Sequence, residues 1–255
     1  MEAPRLVVFD LDGTLIDSSV DLCNAVNAAM TGVAKGTLPN AVIASYIGDG
    51  AAMLVRRALG DPGDLDAANT SAGDALFHRA FELFLDFYRV HKLDNTLCYE
   101  GVLDALRTIR ERHPLLLMAV LTNKPVNPSR QICEALGLAP FFFQNYGGNS
   151  FMTKKPDPEG LLTLIREADD LLKQQDASAA PLQPAQVVMV GDSDVDVLTA
   201  RRVGARAVGC LFGLAPHSLE AVQPDRLVGH PSEWPEAIGL SLVSSSRHRA
   251  GGARE

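Results

Sequence analysis

Two aspartates stand one residue apart, Asp10 and Asp12, at the end of the apolar run Leu6-Val7-Val8-Phe9 and ahead of Gly13-Thr14-Leu15. A strand that served only stability would not finish on two acids, so something at this strand end favours negative charge. One carboxylate there can attack an electrophile, the other can exchange a proton with the departing group, and both can help hold a divalent cation. Asp10 is accordingly read as a nucleophile and Asp12 as its acid/base partner. Three further stretches carry suitable residue types: Thr122-Asn123-Lys124, Lys154-Lys155-Pro156 and Gly191-Asp192-Ser193-Asp194-Val195-Asp196.

Each of these has a plainer reading when taken alone. Thr122 and Asn123 could cap the helix that follows them, and Lys154 and Lys155 could be solvated surface charge. Asp192, Asp194 and Asp196 could be first-turn acids favoured by a helix dipole, and Asp12 a turn residue before Gly13. The elements that would carry these residues decide whether the plain readings suffice.

From Gly101 onward the pattern alternates between helices, over residues 102–112, 128–136, 157–173 and 195–203, and short apolar strands, over residues 115–121, 141–146, 185–190 and 205–211. With residues 6–9 this predicts five strands in parallel β-α-β units. A doubly wound sheet binds ligands outside the carboxyl ends of its strands, and every polar stretch above follows a strand. Between the first and second of them lie about eighty alanine-rich residues at helical spacing, giving about four helices and no strand. The aromatic stripe Phe77, Phe81, Phe84, Leu85 and Tyr88 is read as core packing between these helices.

Placing Asp10, Asp12, Asp192 and Asp196 at neighbouring strand ends concentrates negative charge, and partly buried carboxylates repel strongly without a counter-charge. A cation is therefore required. Oxygen ligation without His or Cys selects a hard ion, and a few carboxylates sharing the shell with water and phosphate are typical of Mg²⁺. The metal, Lys155, the Thr122 hydroxyl and the backbone amides after Asp10 would together cradle a phosphoryl group.

Composition narrows the partners. The 255 residues carry a formal net charge of -8 and a pI near 5.2, which argues against nucleic acid or anionic membrane as a general partner. No apolar run approaches the roughly 20 residues of a membrane span. Cys23, Cys98, Cys133 and Cys210 are isolated and read as reduced and structural. Residues 1–5 run directly into the first strand without room for a leader, so a cytoplasmic protein is expected. Its partner would be a small phosphorylated metabolite, and its state a monomer or homodimer.

The motifs Asp10-Leu11-Asp12-Gly13-Thr14-Leu15, Thr122-Asn123, Lys155-Pro156 and Gly191-Asp192-Ser193-Asp194-Val195-Asp196, in this order, resemble the haloacid dehalogenase superfamily over roughly residues 5–240. The first motif is highly specific and the fourth fairly so. The resemblance implies an α/β fold with a doubly wound parallel five-stranded Rossmann-like sheet, residues 1–17 and 95–240. An inserted all-helical cap would span residues 18–94, with a disordered tail at 241–255. The likeness is strongest to phosphoglycolate phosphatases, through Tyr46-Ile47-Gly48-Asp49-Gly50-Ala51, Leu121-Thr122-Asn123-Lys124-Pro125 and Gly147-Gly148-Asn149-Ser150. It implies that Asp10 forms an aspartyl-phosphate and that Asp12 protonates the departing alkoxide, then takes a proton from water. Mg²⁺ would be held by the Asp10 carboxylate, the Asp12 carbonyl and Asp192, with Asp196 supporting through water or by orienting Lys155. Thr122, the Asn123 amide and Lys155 would bind the phosphoryl oxygens; specificity contacts from the cap are expected at Gly48, Asp49, Gly50 and Arg56 or Arg57. The resemblance implies Mg²⁺-dependent hydrolysis of a small phosphomonoester, 2-phosphoglycolate first among candidates. A sugar phosphomutase, a phosphatase of pyrophosphate, nucleotides or sugar phosphates, and a non-catalytic phosphate-binding or phospho-acceptor signalling protein are the alternatives. Asp12 argues against a dehalogenase, which has no alkoxide to protonate.

Overall fold

Val7 and Phe9 of the first strand are buried towards one face of a sheet and Leu6 and Val8 towards the other. Burial on both faces is why this strand reads as a continuous apolar run with no polar alternation. The computed structural model describes residues 2–60 and 71–240. Along the chain come β1 (Leu6–Phe9), β2 (Ile16–Asp17), α1 (Ser19–Gly32), α2 (Asn40–Ala44), α3 (Ala51–Ala58), α4 (Ser71–His91) and β3 (Leu97–Cys98). Then follow α5 (Val102–Arg112), β4 (Leu117–Leu121), α6 (Val126–Ala135), β5 (Gln144–Tyr146), α7 (Glu159–Gln175) and β6 (Val187–Gly191). The last are α8 (Asp194–Arg202), β7 (Arg206–Cys210), α9 (Leu219–Val222), β8 (Arg226–Val228) and α10 (Trp234–Ala237).

The main sheet is parallel, with strand order β5-β4-β1-β6-β7-β8. Its centre is β1, flanked by β4 and β6 in register, Phe9 opposite both Val120 and Val190. Helices α5 and α6 cover one face, through Leu106, Ile109 and Ile132, and α7 and α8 the other, through Leu161, Leu164 and Ala200. Six strands form this sheet where five were expected. β8 escaped notice because it is three residues long and only Val228 in it is buried. The expected strand at residues 115–121 begins at Leu117, since Leu115 is exposed.

Helices α1 to α4 pack on one another around a separate apolar cluster that includes Leu22, Val26, Leu54 and Phe84. The stripe Phe77, Phe81, Phe84 and Tyr88 stacks down one side of α4, with successive ring centroids 5.5, 6.4 and 5.6 Å apart. The chain leaves the sheet at β2 and returns at β3, and these two short strands pair antiparallel, Ile16 with Cys98 and Asp17 with Leu97. Just beyond this pair the Asp21 carboxylate accepts the backbone N–H groups of Asn95 and Thr96, the Asn95 side-chain amide and the Thr96 hydroxyl, at 2.8 to 3.1 Å. Burial would raise the Asp21 carboxyl, but these hydrogen bonds outweigh it and hold it below the usual value. The tail at residues 241–255 and most of the loop at residues 60–74 lie outside the described residues.

Candidate active site at the carboxyl edge of the sheet

β1 and β6 are adjacent, so the residues that follow them, Asp10 on one side and Asp192 and Asp196 on the other, emerge beside each other. The carboxylates of Asp10, Asp192 and Asp196 offer oxygens that all lie within 4.8 Å of one another, and all three residues are buried. Lys155 reaches into this group from the loop before α7, its Nζ 2.8 Å from Asp10 Oδ1 and 2.6 Å from Asp196 Oδ1. Three carboxylates thus share one lysine, which leaves the cluster with excess negative charge. Burial, with the Asp196 charge adding and Lys155 opposing, raises the Asp10 carboxyl to about 6. Burial, then Asp196 and Asp10, pushes Asp192 to about 8, although its Oδ2 accepts N–H groups of Leu214 and Ala215 at 2.7 and 2.9 Å. Lys155 is raised despite its burial, because the two carboxylates outweigh desolvation.

A hard divalent cation suits this donor set. The ligand atoms are all carboxylate oxygens, they converge within a few ångströms, and the raised carboxyls of Asp10 and Asp192 reflect the negative charge a cation would relieve. The backbone is shaped for it: Gly13 has φ +84°, and a Cβ there would run into the Asp192 carboxylate. The Asp12 side chain lies outside the three-carboxylate cluster.

Asp12 is held by other groups. Its Oδ1 and Oδ2 lie 2.9 and 3.0 Å from Lys124 Nζ, and Ser18 Oγ donates to Oδ1 at 2.5 Å. Lys124 is buried, and Asp12 outweighs the desolvation that would lower it, so it stays above the ordinary lysine value. Its ammonium also sits 4.8 Å from the ring centroid of Tyr88 on α4. Burial pushes the Tyr88 phenol up to about 12, with the Lys124 ammonium opposing, and its hydroxyl donates to no acceptor.

The second and third motifs support each other. Thr122 is buried, and its Oγ accepts the Lys124 N–H at 3.2 Å. It does not cap α6; the Val126 N–H there is taken by Asn149 Oδ1 at 2.8 Å. Asn149 thus has a structural role. The Asn123 side-chain Nδ2 donates to the carbonyls of Lys155 and Gly48 at 3.0 and 3.3 Å. Asp196 also accepts from the backbone N–H and hydroxyl of Ser193 at the start of α8, so the helix-terminus reading and the site reading both hold for it.

A cavity of about 310 Å³ lies above these residues. Asp10, Asp12, Thr122, Asn123 and Lys124 form its floor, and Leu22, Ile47, Leu54, Phe84 and Tyr88 line it from the helical side. Gly48 and Gly50 also line it. Gly50 has φ +88° and lies so close to the Asn123 carbonyl that a Cβ would stand 2.9 Å from its oxygen. Asp49 faces away from the floor: its carboxylate pairs with Arg57 and its carbonyl accepts from Lys154 Nζ at 2.5 Å. Arg56 is not brought to the cavity; its guanidinium sits over the Phe77 ring, 4.1 Å from the centroid. In choosing between the paired arginines, spacing alone could not tell which faces the Gly48-Asp49-Gly50 loop. The residues that sequence reasoning missed are Lys124, Ser18 and Tyr88. Lys124 was visible beside Thr122-Asn123, whereas Ser18 and Tyr88 offered no signal apart from helix packing.

Fold and site together define an α/β protein with a carboxylate-lined centre at the carboxyl edge of its sheet. A family model for haloacid dehalogenase-like hydrolases matches residues 4–204, and the chain belongs to that family. Its relatives include a phosphoglycolate phosphatase of Pseudomonas putida, 37% identical over 211 residues, covering 82% of this chain and 70% of the relative. A phosphoglycolate phosphatase of Chromobacterium violaceum is 36% identical over 214 residues, covering 84% and 88%. Among solved structures, a predicted phosphoglycolate phosphatase from Haemophilus somnus superposes with TM-score 0.76 at 26% identity, covering 92% of this chain and 98% of that one.

Proposed function

We propose that the protein is a Mg²⁺-dependent phosphatase that hydrolyses a small phosphomonoester, with 2-phosphoglycolate the leading substrate. The observation that carries this reading is the buried meeting of Asp10, Asp192, Asp196 and Lys155 at the carboxyl edge of the sheet, with Asp10 also on the floor of the cavity. Relatives named phosphoglycolate phosphatase support the choice of substrate.

In this reading Asp10 and Asp192 would hold the cation by their carboxylates and Asp12 by its carbonyl, while Asp196 fixes Lys155. When bound, Mg²⁺ would neutralise the phosphoryl oxygens and the carboxylate cluster, supplying electrostatic stabilisation as charge shifts. Asp10 attacks phosphorus through a carboxylate oxygen, forming an acyl-phosphate bond while the bond from phosphorus to the ester oxygen breaks. Asp12 gives its proton to the departing alkoxide. Asp12 then accepts a proton from a water whose oxygen attacks phosphorus, and the Asp10–phosphorus bond breaks to release inorganic phosphate. Lys155, Thr122 and the Asn123 amide orient the phosphoryl oxygens. Helices α1 to α4, within residues 18–94, act as a cap that keeps bulk water from the cavity. The partner is a small phosphorylated metabolite, and the four free cysteines accord with a cytoplasmic setting.

The test is phosphate release from 2-phosphoglycolate with and without Mg²⁺, on the wild type and on Asp10→Asn. Turnover that needs the metal and vanishes in the folded variant is the expected result. Metal-independent turnover, or wild-type rates in Asp10→Asn, would overturn the reading.

A further inference from the structure

We propose that Lys124 determines substrate specificity, by binding a carboxylate carried on the carbon next to the ester oxygen. This rests on the reading of Asp12 as the group that protonates that oxygen.

Lys124 Nζ sits within hydrogen-bond distance of both Asp12 carboxylate oxygens. An alcohol oxygen that receives the Asp12 proton must itself lie one hydrogen bond from the same carboxylate. The ester oxygen therefore lies at most about two hydrogen-bond lengths, roughly 6 Å, from the Lys124 ammonium. A carboxylate one carbon away fits that space.

The other cations in and near the cavity do not compete for this position. Lys155 is committed to Asp10 and Asp196 at the phosphoryl end. Arg89, on α4, is exposed and pairs with Asp86, and Lys92 donates to the Arg89 carbonyl. Lys124 alone of these is buried on the floor beside the proton donor. Its ammonium has three N–H groups, and the two Asp12 oxygens occupy two of them. The third lies beside the Tyr88 hydroxyl, where an acceptor from a ligand can reach both groups. On the same wall stands Tyr88, 5% exposed, whose hydroxyl donates to no acceptor. A buried phenol whose proton finds no acceptor, beside a buried ammonium, marks a place built to receive an acceptor from the substrate. Neighbouring walls are apolar at Leu22, Leu54 and Phe84, so a carboxylate entering here exchanges water for these two groups.

The experiment compares kcat/KM for 2-phosphoglycolate and for 2-hydroxyethyl phosphate, which replaces the carboxylate by a hydroxymethyl group, in wild type, Lys124→Met and Lys124→Arg. The wild type should favour the carboxylated ester about 100-fold, the scale of one hydrogen bond between charged groups in a buried site. Lys124→Met should erase most of that preference, chiefly through KM, and Lys124→Arg should restore part of it. Equal losses on both esters would mean that Lys124 acts only by holding Asp12, and would overturn the proposal. Should Lys124→Met not fold, the wild-type ratio still decides, since no preference for the carboxylated ester contradicts the inference. A wild type that hydrolyses 2-hydroxyethyl phosphate well, with no such preference, overturns the role of Lys124 and leaves the phosphatase standing. A wild type inert towards both esters with Mg²⁺ would instead overturn the phosphatase reading, and this inference with it.

Discussion

At the scale of single residues, the site is a problem of charge. Lys155 stands between Asp10 and Asp196, and its removal leaves two buried carboxylates facing each other without a cation. Lys155→Met should lower kcat/KM by about 10²- to 10³-fold, the cost of one preorganised group that stabilises developing charge. Steady-state kinetics on folded variant checks this, and a loss below threefold would remove Lys155 from the phosphoryl site. Much of this charge pattern was legible in the sequence, because acids and lysines placed directly after apolar strands have few other uses. What the sequence could not disclose is which charged groups meet. Asp12 turns out to face Lys124 and Ser18, and Arg56 packs on Phe77 while Arg57 takes Asp49. Such pairings are decided by side-chain direction across elements far apart in sequence, and spacing carries no record of it.

At the scale of elements, the helices α1 to α4 are joined to the sheet by two strands of chain running side by side. Asp21 fastens that crossing with hydrogen bonds to Asn95 and Thr96, some 75 residues later. Asp21→Ala should cost about 2 to 3 kcal/mol, since it strands buried donors, and lower the melting temperature by roughly 5 to 10 °C. Differential scanning calorimetry reads this directly; an unchanged melting temperature would show that the crossing is held by β2 and β3 without it. Periodicity was sufficient to find the four helices and the strands β1, β4, β6 and β7, because each buries a stripe or a whole face, and the apolar run Phe141-Phe142-Phe143 led into β5, whose own residues are only half-buried. It was insufficient for β2, β3 and β8, two or three residues each, whose pairing is imposed by neighbours already in place.

At the scale of the whole molecule, function and stability draw on the same buried charge. Asp10 and Asp192 hold protons in the folded, metal-free protein that the unfolded chain has released once pH passes the ordinary carboxylate value of 3.8. The unfolded state therefore binds fewer protons, and metal-free stability falls from about pH 4 to about pH 8 and levels off above. A divalent cation displaces those protons, so its stabilising effect should grow across the same window. Melting temperatures with Mg²⁺ and with a chelator, at about pH 5 and about pH 8, should differ more at the higher value. A gap of equal size at both would mean that the cation does not bind at these carboxylates.

The central claim is that Asp10 takes the phosphoryl group. An ester with a good leaving group, such as p-nitrophenyl phosphate, does not need a proton donor, so Asp12→Asn should still transfer its phosphoryl group to Asp10 while lacking the base that activates water. Rapid acid quench of that variant with Mg²⁺, followed by mass spectrometry of the peptide that contains Asp10, measures the outcome. The expected result is one added phosphoryl group on Asp10, lost on treatment with hydroxylamine and absent from Asp10→Asn. Release of nitrophenol with Asp10 unmodified at every time point would contradict it.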